Sequence, residues 1–254
     1  MAGNPKIRDW RGRRVWLLGA SSGIGAALAQ ALAERGARLA LSARRADRLA
    51  AQAPAGAMLL PCDVTDPAAL AAAQARLLAE WGGLEVAIYL AGDYQPMGVD
   101  HWDIAAAERL LQVNYTAAMH AAHQLLPVLP VGGGLALVAS VAGYRGLPRA
   151  LGYGPGKAAL IHLAECLHLE LAPRGVGVWL INPGFVETPL TAGNDFAMPA
   201  LLTPEQAARA TLDGLAGGSF EIHYPKRFTR VLKLLRLLPY AAYFPLVRKL
   251  TSAR

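Results

Sequence analysis

Six short apolar runs recur along the chain, and none alternates with polar residues as a half-exposed strand would. They are RVWLLG (14–19), RLALS (38–42), AMLLP (57–61), LEVAIYLAG (84–92), GLALVAS (134–140) and VGVWLIN (176–182). Alanine-rich stretches with helical character separate them, predicting helices over 23–34, 46–53, 67–81, 101–129 and 153–173. Strands that are apolar on both faces belong in a sheet covered by helices on both sides. Repeated βα units of this length require right-handed crossovers. The pattern therefore predicts one Rossmann-type α/β domain, a doubly wound parallel sheet in a three-layer α/β/α arrangement.

Composition fits one large core: the chain has 254 residues, 54% of them hydrophobic, and disordered or collagen-like classes are excluded. Cys62 and Cys166 stand far apart without a CxxC partner, so neither a disulfide framework nor a zinc site is expected. Residues 1–14 are polar and basic without an apolar core; no signal peptide is expected, and a cytoplasmic setting fits. The net charge of +7 is unevenly placed, for no acidic residue follows Glu221 while eight basic ones do. That leaves 17 of the 25 basic groups with all 18 acidic ones in residues 1–221. The basic character thus belongs to the C-terminal segment, and nucleic-acid binding by the body is not expected.

The stretch LGASSGIG (18–25) puts Gly19, Ser21, Ser22, Gly23, Ile24 and Gly25 between the first strand and the first helix. Backbone N–H groups at such a junction can hold a pyrophosphate. Further marks follow in order: Asp63 and Val64 after the third strand, Ala91 and Gly92 after the fourth, and Asn114 in the next helix. Ser140 ends the fifth strand, Tyr153 and Lys157 form YxxxK, and NPGFVET (182–188) follows the sixth.

Together with the GxxxGxG spacing, these marks make residues 12–190 resemble the short-chain dehydrogenase/reductase family. Two positions depart from the family pattern. Leu18 stands where Thr is usual, and Tyr89–Leu90 where Asn–Asn is usual, which exchanges polar strand-to-strand contacts for apolar packing. The resemblance implies that Asp63 and Val64 flank an adenine and that Ala91 and Gly92 let backbone approach a ribose. Pro183, Gly184, Val186 and Thr188 would hold the nicotinamide end. Ser140 would hydrogen-bond the substrate oxygen, Lys157 would also hold the nicotinamide ribose, and Asn114 would bend its helix around a relay water.

Two points of chemistry can be argued directly. An NAD site usually carries an acid after the second strand; here Ala43 stands there, followed by Arg44 and Arg45, whose guanidinium groups suit a 2′-phosphate. NADP(H) is therefore favoured over NAD(H). A free tyrosine has a pKa of about 10, and an ammonium one helical turn away should lower it, which makes Tyr153 the expected acid-base group and Lys157 its tuner. The surrounding GYGPGK (152–157) is not a Walker loop, because Leu151 and Ala158 occupy its required glycine and hydroxyl positions.

The expected activity is hydride transfer between NADPH and a small-molecule carbonyl or secondary alcohol. Phe196, Met198 and Leu201 in a lid over about 189–203, with Phe185 and Tyr144, suggest an apolar substrate. The alternatives are a non-catalytic NADP(H)-sensing or lipid-associated protein, and an epimerase or dehydratase of the superfamily's extended branch; glycine spacing and a short C-terminal region disfavour the latter. His120, His123, His162 and His168 read as helix-surface or interface residues, and no carboxylate or cysteine completes a metal site. The family's dimer interface, built from the helices bearing Asn114 and Tyr153, implies a homodimer or homotetramer. The catalytic domain is expected over 1–223. The basic, leucine-rich extension 224–254 reads equally as a peripheral membrane contact or as a cover over the substrate site or a subunit interface.

Overall fold

Strand β1 (Arg14–Leu18) lies between β2 (Arg38–Ser42) and β4 (Val86–Tyr89) in the computed structural model, which describes residues 3–196 and 198–252. Ala197 of the expected lid and Arg254 of the basic extension lie outside the described residues. With β3 (Met58–Leu59), β5 (Gly134–Val138), β6 (Gly177–Pro183) and β7 (Glu221–Tyr224), these strands form a parallel sheet in the order β3-β2-β1-β4-β5-β6-β7. The chain reverses its winding between β1 and β4. A crevice opens beyond the carboxyl ends of strands at such a point.

The continuous hydrophobicity of the strands follows from having two cores. Trp16 and Leu18 of β1 enter one cluster with α3 (Pro67–Trp81), α5 (Ala117–Leu125) and α6 (Tyr153–Leu171). Val15 and Leu17 enter the other, with α1 (Gly23–Ala33), α2 (Ala46–Gln52) and α7 (Pro204–Gly217). Leu18 is fully buried, as its apolar character requires. Tyr89 is buried too but keeps a polar link, since its hydroxyl donates to the Val113 carbonyl at 2.8 Å.

Two expectations need correction. The sheet has a seventh strand, β7, whose four residues EIHY bury only alternate side chains and so gave no continuous apolar run. The boundary expected after residue 223 therefore falls inside a strand. The helical material expected over 101–129 is present as α4 (Ile104–Leu111), a π-helical turn Gln112–Thr116, α5 and a 3-10 turn Leu126–Val128.

Beyond β7, α8 (Lys226–Arg236) and α9 (Tyr240–Ser252) fold back on the body. Lys233 pairs with Glu221 at 2.5 Å, and Thr229, Tyr243 and Val247 are buried. Arg145 donates to the carbonyls of Leu235, Arg236 and Leu238, and its guanidinium lies over the rings of Tyr240 and Tyr243. No described helix is long and apolar enough to cross a membrane.

At the amino end, buried Asn4 completes the ladder. Its Nδ2 donates to the Val178 carbonyl at 2.6 Å and its Oδ1 accepts from the Val178 N–H at 3.0 Å, just before β7 begins pairing at Leu180. Asn4→Ala leaves both backbone groups unpaired and should cost about 2 kcal/mol. Urea unfolding checks this, and an unchanged midpoint would show that the pair contributes nothing.

Candidate active site

The glycine turn after β1 is shaped by close approaches. Gly19 sits at φ 104°, where a Cβ would fall 2.5 Å from the Ala91 nitrogen of the turn after β4. A Cβ on Gly25 would lie 2.1 Å from the Gly19 carbonyl oxygen. Gly23, at φ 52°, faces Thr188 so closely that a Cβ would meet its methyl at 2.7 Å. Side chains at these places would fill the cradle. Ser22 caps α1 without any side-chain hydrogen bond to the first turn, so the helix end presents free N–H donors to an anion.

A cleft of about 370 Å³ runs along the carboxyl ends of the strands and gathers nearly every nominated residue. Gly19, Ser21, Ser22, Gly23, Ile24 and Gly25 line it, as do Arg44, Arg45, Asp63 and Val64. Ala91, Gly92, Ser140, Tyr153, Lys157, Pro183, Gly184, Val186 and Thr188 complete the lining. The donor set fits a dinucleotide: a glycine cradle on a helix N-terminus, then exposed guanidinium groups, then a hydroxyl and amine cluster.

Asn114 is the exception, standing behind the wall. Fully buried in the π-helical turn, it donates from Nδ2 to the Asp93 carbonyl at 2.7 Å and accepts from the Asp93 N–H at 3.3 Å. A Cβ on Gly92 would come within 3.0 Å of Asn114 Oδ1 and 3.5 Å of Lys157 Nζ, so both groups converge on that glycine.

Tyr153 opens α6, and Lys157 Nζ lies 5.6 Å from its ring centroid. The amine is buried and donates to the Val138 carbonyl at 3.0 Å. Ser140 Oγ accepts from the Ala142 N–H at 3.1 Å, leaving its own proton free to donate into the cleft. Burial pushes Lys157 down to about 7. Burial likewise pushes Tyr153 up to about 12, against the influence of Ser140. The direction is opposite to the lowering expected from the lysine: desolvation is the largest influence, and the neighbouring Tyr94 adds to it.

Two neighbours, Tyr94 and Thr191, carry no recognisable sequence signal. Tyr94 packs edge-on against Tyr153 with centroids 4.9 Å apart. Thr191 donates to the Val186 carbonyl at 2.7 Å and accepts from the Thr188 N–H, bracing that loop. Phe185 packs against Phe196 at 6.0 Å and Phe228 at 5.8 Å. Tyr144, expected on the pocket wall, is instead buried and donates to Glu221 at 2.5 Å. Glu221 also accepts from Asn182 Nδ2 and Lys233 Nζ. Burial alone would raise this carboxyl, but the three donors hold it below the ordinary value.

With that geometry in place, the comparisons decide the family. The short chain dehydrogenase family model matches residues 13–197. The chain belongs to the short-chain dehydrogenase family. It is an oxidoreductase dependent on a nicotinamide cofactor. It is 36% identical to cis-4-hydroxycyclohexanecarboxylate dehydrogenase of Sinomonas cyclohexanicum, covering 78% of this chain and 81% of that one. A short-chain dehydrogenase from Burkholderia cenocepacia in complex with NADP superposes with a TM-score of 0.76 at 27% identity, covering 85% and 96% of the two chains. A family structure from Burkholderia phymatum in complex with NAD shares the fold at a TM-score of 0.81 and 22% identity, covering 90% and 94%.

Between pH 7 and the ordinary lysine value of 10.5, the folded cofactor-free protein binds fewer protons at Lys157 than the unfolded chain. Its stability should therefore rise with pH through that window, and Lys157→Met should flatten the rise. Unfolding midpoints across that range check it. Identical slopes for the two proteins would contradict a desolvated lysine.

Proposed function

We propose that this enzyme is an NADPH-dependent reductase of lipophilic ketones or aldehydes, with the reverse alcohol oxidation on the same residues. One observation carries the reading: Tyr153, Ser140 and Lys157 share a single cleft with the glycine cradle and Arg44. Bound NADPH supplies a hydride to the carbonyl carbon. The chain must supply a proton to the oxygen, and Tyr153, held protonated at neutrality, is the group to give it. Ser140 donates a second hydrogen bond to that oxygen and stabilises developing charge. Lys157, exchanging protons near neutrality, sits where it can reprotonate the tyrosine, and Asn114 positions the backbone beside it.

The aromatic cluster of Phe185, Phe196 and Phe228, packed beside Gly184 of the cleft, supports an apolar substrate, and the relative named for a ring-bearing hydroxy acid supports a secondary alcohol and ketone pair. Leu111, Met119 and Leu169, exposed on α4, α5 and α6, support burial of these helices against a second copy. Arg44 and Arg45, exposed beside the cleft without an acid at Ala43, support NADPH over NADH.

Tyr153→Phe should lower kcat by about a thousandfold while leaving NADPH binding, read by fluorescence titration, nearly unchanged. Retained turnover would refute Tyr153 as the proton donor. Arg44→Asp should raise the KM for NADPH about tenfold or more and leave that for NADH the same or lower. An unchanged cofactor preference would overturn Arg44 as the 2′-phosphate partner.

A further inference from the structure

Large apolar side chains stand exposed along the last two helices: Val231 at 52%, Leu234 at 66%, Leu237 at 79%, Tyr240 at 67%, Phe244 at 52% and Leu250 at 56%. Their arrangement follows from how the helices are docked. On α8, Phe228, Thr229, Leu232 and Lys233 face the body, where Thr229 is fully buried and Lys233 reaches Glu221. Arg227, Arg230, Val231 and Leu234, spaced three and four apart, occupy the opposite face. The exposed stripe continues past Pro239 onto α9 through Tyr240 and Phe244.

Exposed cations border this stripe: Arg227, Arg230, Arg236, Arg248 and Lys249. No acidic residue follows Glu221, and Glu221 is already held by Lys233. The outer face is thus apolar along its middle and positive at its borders, with no countercharge of its own. A second copy docking the same face would bring like charges together, which opposes that pairing.

We propose that this outer face of α8 and α9 docks in the plane of an anionic phospholipid surface. The leucines and aromatics enter the headgroup boundary, and the arginines and lysine meet lipid phosphates. The inner face stays on the body, so docking requires no unfolding of the extension.

Co-sedimentation of the full-length protein with vesicles tests this. Phosphatidylcholine vesicles containing phosphatidylserine should pellet the protein at low salt, while vesicles of phosphatidylcholine alone should pellet it weakly. Added salt should release it. The double variant Leu234→Glu/Leu237→Glu should weaken partitioning about tenfold or more, and Arg227→Glu/Arg230→Glu should do the same. All four positions are exposed, so thermal midpoints should match the wild type. Partitioning that ignores phosphatidylserine, or that survives in both variants, would overturn the proposal. So would a lipid-free dimer that the leucine variant dissociates, because that would assign the face to a second copy.

Discussion

A buried amine at the end of a parallel sheet is the constraint around which this site is built. Lys157 donates to the Val138 carbonyl, and burial moves its ordinary pKa down to about 7. A charged ammonium there is costly unless something negative or strongly polar faces it. The same desolvation holds the proton on Tyr153. Burial thus acts on both groups in the same sense, favouring the neutral form of each. Both depend on α6 starting where it does, with Tyr153 on its first turn and Lys157 one turn later on the same face.

The sheet supplies the other half of the site. Reversal of winding between β1 and β4 opens the crevice, and glycines let three turns meet there at distances no side chain would permit. Gly19 contacts the turn bearing Ala91, and Gly23 contacts the loop bearing Thr188. Asn114 braces the backbone beside Gly92 from behind. On the opposite side, Glu221 ties together the segment after Ser140 through Tyr144, the end of β6 through Asn182, and α8 through Lys233. The C-terminal extension is therefore linked, through Glu221 of β7, to the end of β6 and to the segment that follows Ser140.

Much of this was legible in the sequence because it rests on local spacing. A glycine turn after an apolar run, a serine at a strand end and YxxxK all declare themselves within a few residues, and they converge on one cleft. Features set by distant contacts were not legible. Strand β7 is too short to show a pattern, and it exists because β6 offers an open edge. Tyr144 has the sequence character of a pocket residue, but a carboxylate 77 positions later draws it inward. The direction of the Tyr153 shift depends on packing density, which spacing does not encode. Sequence alone leaves the extension equally a membrane contact or a cover over the substrate site or a subunit interface. Its helices are two-faced: one face lies on the body and the other stays exposed.

The account centres on proton donation by Tyr153 coupled to hydride delivery in one cleft. The most direct measurement is isotope tracing with NADPH deuterated at the transferring carbon, incubated with a panel of lipophilic ketones. The account predicts deuterium on the carbinol carbon of a single alcohol stereoisomer, formed in step with NADPH consumption. NADPH that binds tightly yet transfers no deuterium to any carbonyl in the panel would contradict it.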